Sequence, residues 1–375
     1  MTGKGRAALL VIALITVPEA IARRAPEIRP ADGQHQVVMG WDRAAPPADI
    51  ELWPRSTMLA YQAAGTLQYG AAFLTCHSST DAATGRCPTA DTQETATGLG
   101  SVIPLRFTEQ RSGVQLELEV AGELTRAGSI GACGLDQDSS GMRPLWTSAS
   151  VPCAGLMPVG TGVGLWLRAG QLGRLVAGRW TATLVLDLGS PLQRHLASYR
   201  FTFDLTVTDR NAVALYFPAH HEVTPQVGLD LRYDPIAQRV AGRAELDMCL
   251  YDGLGSRSEY IGVTVRDSTQ GAPYGERFSV WHQEGGQDEG GRVDYTVSLA
   301  HGGARNPLRN GQELLLTGID RVQLRRVNLP GSIDPVFCVP TPLTLETPSF
   351  SASSKRAGHY SGGLRVEMRL PTSTP

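Results

Sequence analysis

The sequence predicts an all-β chain made of two immunoglobulin-like β-sandwich domains in tandem. Three observations carry this. Apolar residues recur with a period of two, the signature of strands with one wet and one dry face. The 375 residues include 42 Gly and 24 Pro, too many interruptions for long helices and too scattered for collagen. No segment keeps a helical period beyond two or three turns. The best candidate, Arg168 to Val176, is broken by Gly170 and Gly173.

The chain opens with an export signal over residues 1–22. Lys4 and Arg6 form a basic head, Ala7 to Val17 is apolar, Pro18 breaks the run, and Ala20-Ile21-Ala22 offers small residues for cleavage. The apolar run falls short of the roughly 20 residues a membrane span needs.

The first sandwich follows, over 23–208. Val114, Leu116, Leu118 and Val120 alternate with polar neighbours, as do Trp180 to Leu188 and Tyr199 to Val207. A polar cluster at 209–211 is read as the linker. The second sandwich occupies 212–375. Its stripes are Val227 to Tyr233, Ile261 to Val265, Val293 to Leu299 and Leu364 to Leu370. Asp252-Gly253, Asn306-Pro307 and Asn310-Gly311 supply turns.

Export makes sense of the six cysteines as disulfides. Proximity favours Cys76–Cys87 and Cys133–Cys153, leaving Cys249–Cys338, with each bridge inside one domain. The last would contribute about 4 kcal/mol in the chain-entropy model. No C-x-x-C pair points to a metal.

Charge and motifs exclude much chemistry. Net charge is −2, which gives no footprint for nucleic acid as a partner. Lys4 and Lys355 are the only lysines, and neither sits in a phosphate-binding loop. No Gly-x-Ser-x-Gly or His-Glu-x-x-His occurs. Gly160 to Gly164 has glycines at alternate positions, but its third glycine is misplaced for a dinucleotide loop and a strand-like segment follows. His220-His221-Glu222 reads as a solvated turn. Asp136 to Gly141 resembles half a calcium loop, yet its twelfth position would be Thr147, which has no carboxylate. The expectation is therefore no enzyme, no cofactor and no metal.

The last strand, Leu364 to Leu370, is strongly apolar, with only Pro371 to Pro375 after it. An apolar terminal strand without a successor leaves a sheet edge open, and another protein can fill it by β-augmentation.

Several segments resemble one family. They are Phe73-Leu74-Thr75-Cys76 with Cys87-Pro88, Leu105 to Ser112, and Ala169 to Leu172 leading into Gly178 to Ala182. In the second half they are Asp247 to Gly253, Phe337 to Pro340 and Ala357 to Gly362. In this order, with the six cysteines in place, the chain resembles the minor tip subunits of class 5 and cable-type fimbriae, the CblD-like pilus biogenesis initiators and CFA/I-type tip adhesins.

The resemblance implies an adhesin domain followed by a pilin domain that lacks its last strand. A periplasmic chaperone would hold the pilin domain first, and a donor strand from the next subunit, the major pilin, would complete it. Passage through an outer-membrane usher and a place at the fimbrial tip on the cell surface follow. Leu364, Val366, Met368 and Leu370 would face the donor-strand groove, with Val213, Leu215 and Phe217 as its other wall. Residues 23–50 carry Pro26, Pro30, Pro46 and Pro47 and suit a donor strand poorly, which fits a tip position.

The basic cluster that CFA/I-type adhesins present after the strand equivalent to Thr183 to Leu188 is replaced here by Gly189-Ser190-Pro191. Arg194 and His195 lie a few positions on and are the candidates for contacting a host glycan or glycoprotein receptor, since an Arg fork suits a carboxylate. The alternative is a purely structural initiator that binds no receptor.

Overall fold

The computed structural model describes residues 27–371 apart from 96–97, 99, 129–137, 151–156, 221–223, 269–276, 286–287 and 331–334. The export signal and the Cys133–Cys153 pair lie outside the described residues, as do His221 and Glu222 of the His/acid cluster and Asp136 of the calcium-like segment.

Among the described residues, nine strands make the first unit. They are β1 (Gly33–Asp42), β2 (Ile50–Tyr61), β3 (Phe73–Thr75), β4 (Ser101–Glu109), β5 (Gln115–Ala127), β6 (Asp138–Arg143), β7 (Gly160–Leu167), β8 (Gly178–Gly189) and β9 (Ala197–Thr208). They are hydrogen-bonded in the order β1-β9-β8-β4-β5-β7-β2, with β3 on β8 and β6 on β5. Only two residue pairs, Thr108↔Thr181 and Glu109↔Trp180, join β4 to β8. At that corner the sheet folds over and becomes the two leaves of a sandwich. β1 adds to β9 in parallel, from Gly33↔Tyr199 to Asp42↔Thr208. The Arg168–Val176 candidate forms one helical turn, α1 (Ala169–Leu172).

The alternation read in the sequence is the packing pattern. Trp180, Ala182, Leu184, Leu186 and Leu188 on β8 are buried, as are Tyr199, Phe201, Phe203, Leu205 and Val207 on β9. Phe107 meets Phe203 edge-on at 5.3 Å, and the Trp180 indole donates to the Val176 carbonyl at 2.9 Å. Each large side chain buried this way contributes roughly 1.5–3 kcal/mol.

The second unit holds β10 (Ala214–Tyr216), β11 (Leu231–Asp234), β12 (Arg239–Leu246), β13 (Cys249–Tyr251), β14 (Tyr260–Asp267), β15 (Phe278–His282) and β16 (Arg292–His301). It continues with β17 (Ala304–Leu308), β18 (Glu313–Thr317), β19 (Arg325–Val327), β20 (Val336–Pro340), β21 (Leu343–Ser351), β22 (Tyr360–Ser361) and β23 (Leu364–Arg369). One sheet runs β11-β12-β21-β16-β15-β22, with β17 on β16. A second runs β18-β14-β23 and a third β10-β13-β20-β19. Ile261, Val263 and Val265 of β14 pack with Val297, Leu299, Leu343 and Leu345 in the core between the sheets. The Val227 to Tyr233 stripe becomes a strand only from Leu231, because Val227 and Leu229 pack on the core without joining a ladder.

Two of the three expected disulfides lie among the described residues and are present. Cys76–Cys87 has Cα atoms 5.3 Å apart. Cys249–Cys338, 5.7 Å apart, ties β13 to β20.

The two units are docked against one another. Ala177 packs with Cys249, Tyr251, Val336 and Cys338. Arg111, at the β4–β5 turn, donates to the Ile319 carbonyl at 3.0 Å and to that of Val322. Asp209 accepts from Arg43 at 3.1 Å and from the Tyr251 hydroxyl at 3.2 Å. Burial and the Asp209 carboxylate push the Tyr251 hydroxyl well above its ordinary range.

Candidate functional site

The open edge lies on β23. On one side β23 pairs with β14, from Gly262↔Arg369 to Asp267↔Leu364. Among the described residues no strand pairs its other side, so a row of backbone donors and acceptors is left for another chain. Leu364, Val366, Met368 and Leu370 are half-buried and pack on the core of the second unit. Leu215 and Phe217 pack on the same cluster, so six of the seven groove candidates meet there. Val213 does not; it is exposed, one residue before β10.

The outer face of β23 is charged and holds the strand in place. The Arg369 guanidinium forks onto the Glu313 carboxylate at 2.6 and 2.9 Å. It also donates to the Tyr260 hydroxyl at 3.0 Å. This contact spans from β23 to β18 across β14, and Gly262 makes room for it. A Cβ there would lie 2.1 Å from the Glu313 carboxylate. Hydrogen bonding to Arg369 holds the Glu313 carboxyl below its ordinary value. Arg365 and Arg266 pair with Glu367 at 3.1 and 3.4 Å. The strand is therefore anchored from outside and apolar inside, the form needed to accept a neighbour on its free edge.

The facing sheet supplies groove residues absent from the sequence-based set. Inner-face positions on β12 pass from buried Leu246 and Ala244 to half-buried Gly242 and Val240. Leu231 and Tyr233 pair with Gly242 and Val240, so they continue that face. They are 43% and 56% exposed. The core face thus runs out from beneath its cover on the β11 edge. The Val227 to Tyr233 stripe was the available signal.

The second candidate region is the rim at the β8–β9 turn. Arg194 is exposed. His195 is also exposed but engaged, with its Nε2 2.9 Å from the Ser198 hydroxyl. Ser198 in turn donates to Asp187 at 2.5 Å, and its backbone N–H donates to Asp32 at 2.8 Å. His77, just after the Cys76–Cys87 bridge begins, brings its Nε2 to 2.9 Å from Asp187. His77 joins the cluster because β3 pairs with the end of β8, Thr75 opposite Asp187. That juxtaposition spans more than a hundred residues and leaves no local signal in the sequence. Arg194 and His195 thus share a rim with His77 and Asp187.

Two of the motifs weighed as chemistry have structural roles. Gly160 to Gly164 lies in β7, a strand paired on both sides. The Thr147 hydroxyl is buried and donates to the Glu94 carbonyl at 2.7 Å.

Comparison with known proteins returns one family. Residues 19–210 match the model of the first domain of CfaE, the E component of CFA/I fimbriae, and residues 213–372 match that of its second domain. The chain is 27% identical over 330 residues to this CFA/I fimbrial protein of Escherichia coli, covering 85% of each chain. Among solved structures it resembles CfaE, the adhesive subunit of CFA/I fimbria of enterotoxigenic Escherichia coli. The TM-score is 0.70 at 24% identity, over 93% of this chain and 95% of that one. It also resembles a chain from a chaperone–tip adhesin complex of CFA/I fimbriae biogenesis, with a TM-score of 0.67 at 23% identity, over 93% of this chain and 99% of that one. These structural likenesses show the fold of two tandem β-sandwich-like units.

Proposed function

Because the chain belongs to the CfaE family of CFA/I fimbrial subunits, we propose that it is a minor fimbrial tip subunit that initiates pilus assembly and mediates adhesion. The first domain, up to residue 208, is the adhesin. The second, from 212, is the pilin domain, with 209–211 between them. The second domain accepts a donor strand from the major pilin, after a periplasmic chaperone has held it. The subunit leaves through an outer-membrane usher and stands at the fimbrial tip on the cell surface, exported by the signal in residues 1–22. The function is binding and assembly, without catalysis.

One observation carries this reading: the unpaired edge of β23, flanked by the half-buried Leu364, Val366, Met368 and Leu370. A donor strand would hydrogen-bond along that edge and set apolar side chains between β23 and β11. The tested variant is Val366→Asp in the full chain. Placing a carboxylate on the groove floor leaves a charge that an apolar donor cannot solvate. Capture of a synthetic peptide copying the N-terminal extension of the neighbouring major pilin is expected to weaken by about tenfold or more, about 1.4 kcal/mol. Equal capture by folded Val366→Asp and parent chain would refute the groove assignment.

Receptor contact is assigned to the rim of Arg194 and His195. An anionic glycan would meet the exposed Arg194 guanidinium there. Arg194→Ala is expected to abolish cell binding while leaving the thermal unfolding of the chain unchanged. Undiminished binding would favour the purely structural initiator, and a glycan array on the full chain would then return no ligand.

A further inference from the structure

The strap of residues 355–361, between β21 and β23, closes on one buried histidine. His282, at the end of β15, is 7% exposed. Its Nε2 lies 3.1 Å from the Ala357 carbonyl, and its Nδ1 accepts the Glu284 backbone N–H at 3.3 Å. These two partners fix the tautomer. Nε2 must carry the proton to donate to a carbonyl, and Nδ1 must be bare to accept an N–H. Both ring nitrogens are satisfied only in the neutral imidazole. A second proton would set an N–H against the Glu284 N–H.

The strap fits tightly over the ring. Gly358 has φ +148°, and a Cβ there would lie 2.2 Å from His282 Nε2. The Tyr360 ring stands edge-on to the imidazole at 5.2 Å. Backbone bonds fix the strap around it. Gln283 N–H donates to the His359 carbonyl at 2.9 Å, and Arg356 N–H to the Gly290 carbonyl at 2.9 Å. Past the clasp, Gly363 accepts from Ser268 N–H at 2.8 Å, and β23 begins at the next residue. The clasp therefore sets where the groove strand starts.

Arg356 pairs with Asp288, and Lys355 donates to the Glu289 carbonyl at 2.7 Å. Glu284 offers its backbone N–H, and His359 offers its carbonyl. Tyr360 directs its hydroxyl to the Gly290 and Arg356 carbonyls. Among the described residues no carboxylate bonds either ring nitrogen of His282.

We propose that His282 is a positioning residue for strand addition: its imidazole clasps the strap that leads into β23 and so sets the edge that a donor strand joins. The inference rests on the donor-strand reading of the groove.

The test measures uptake of the major-pilin peptide by the full chain and its variants. His282→Leu removes the donor to the Ala357 carbonyl and is expected to lose about fivefold in capture, the equivalent of one hydrogen bond. His282→Gln keeps a donor for Ala357 and is expected to capture like the parent chain. Gly358→Ala displaces the ring and is expected to capture poorly. Equal capture by His282→Leu and the parent chain would overturn the proposal, as would parent-like capture by Gly358→Ala.

Hydrogen exchange of the Gln283 and Arg356 amides, corrected for intrinsic rates, reads the clasp without the peptide. Loss of protection in His282→Leu but not in His282→Gln is expected. If no chain takes up peptide, the donor-strand reading fails, and exchange alone decides the clasp.

Discussion

Arg126→Met is expected to destabilise the first domain by about 3–5 kcal/mol, the range for breaking a buried polar hub. Arg126 lies on β5 and is 3% exposed. Its guanidinium donates to the Ala72 carbonyl at 2.6 Å, the Thr161 hydroxyl at 2.7 Å and the Thr147 carbonyl at 2.7 Å. Ala149 is a fourth acceptor at 3.2 Å. Thr161 passes its own proton to the Tyr69 carbonyl at 2.6 Å. One side chain thus ties β5 to the segment before β3 and to the chain after β6. Methionine keeps the apolar stem and removes every donor, leaving buried carbonyls unmet. Burial, reinforced by the nearby Arg143, pushes the guanidinium down to about 9, so it stays charged at neutral pH. Urea unfolding of the full chain, followed by tryptophan fluorescence, checks the expectation. A loss below about 1 kcal/mol would mean that water replaces these bonds.

The second large effect is in the other domain. Cys249→Ser with Cys338→Ser opens a loop spanning 89 residues. The chain-entropy model assigns that closure about 4–5 kcal/mol, against about 3 for the Cys76–Cys87 loop. Cys249 and Cys338 are also fully buried beside Ala177 of the first domain. The double variant should therefore loosen the docking of the two units as well as the second core. Differential scanning calorimetry should show the second-domain transition falling much further than in Cys76→Ser with Cys87→Ser. Equal shifts from the two variants would contradict that ranking.

What was legible in the sequence follows from which faces meet water. β9, β16 and the first half of β5 have one dry and one wet side, so alternation alone reveals them. Leu364 to Leu370 shows the same pattern, and hence β23. The Cys76–Cys87 pair followed from nearness along the chain, and Cys249–Cys338 from being the pair left over, each closing within one unit. The long-range pieces left no such trace. Arg126 stands in an Arg-rich chain, where 32 of the 34 basic residues are arginine, and its burial depends on acceptors contributed by three distant segments. His77 reaches Asp187 only because β3 pairs with the end of β8. Arg111 was legible as part of a family segment, but its hold on Ile319 and Val322 comes from the docking of two units. The glycines of Gly160 to Gly164 gave a false hint of a loop. On β7 they make room for neighbours, since a Cβ at Gly162 would lie 2.6 Å from the Thr125 hydroxyl.

Native-state hydrogen exchange over Leu364–Leu370 tests most directly whether the second domain is one strand short. The full chain with its disulfides formed would be measured alone and with the major-pilin donor peptide. Without peptide, the β23 amides on the free edge should exchange far faster than those of β14, which are paired on both sides. With peptide they should slow toward the protection of β14. Protection of every β23 amide at the level of β14 without peptide, and no change on adding it, would show that the sandwich is already complete.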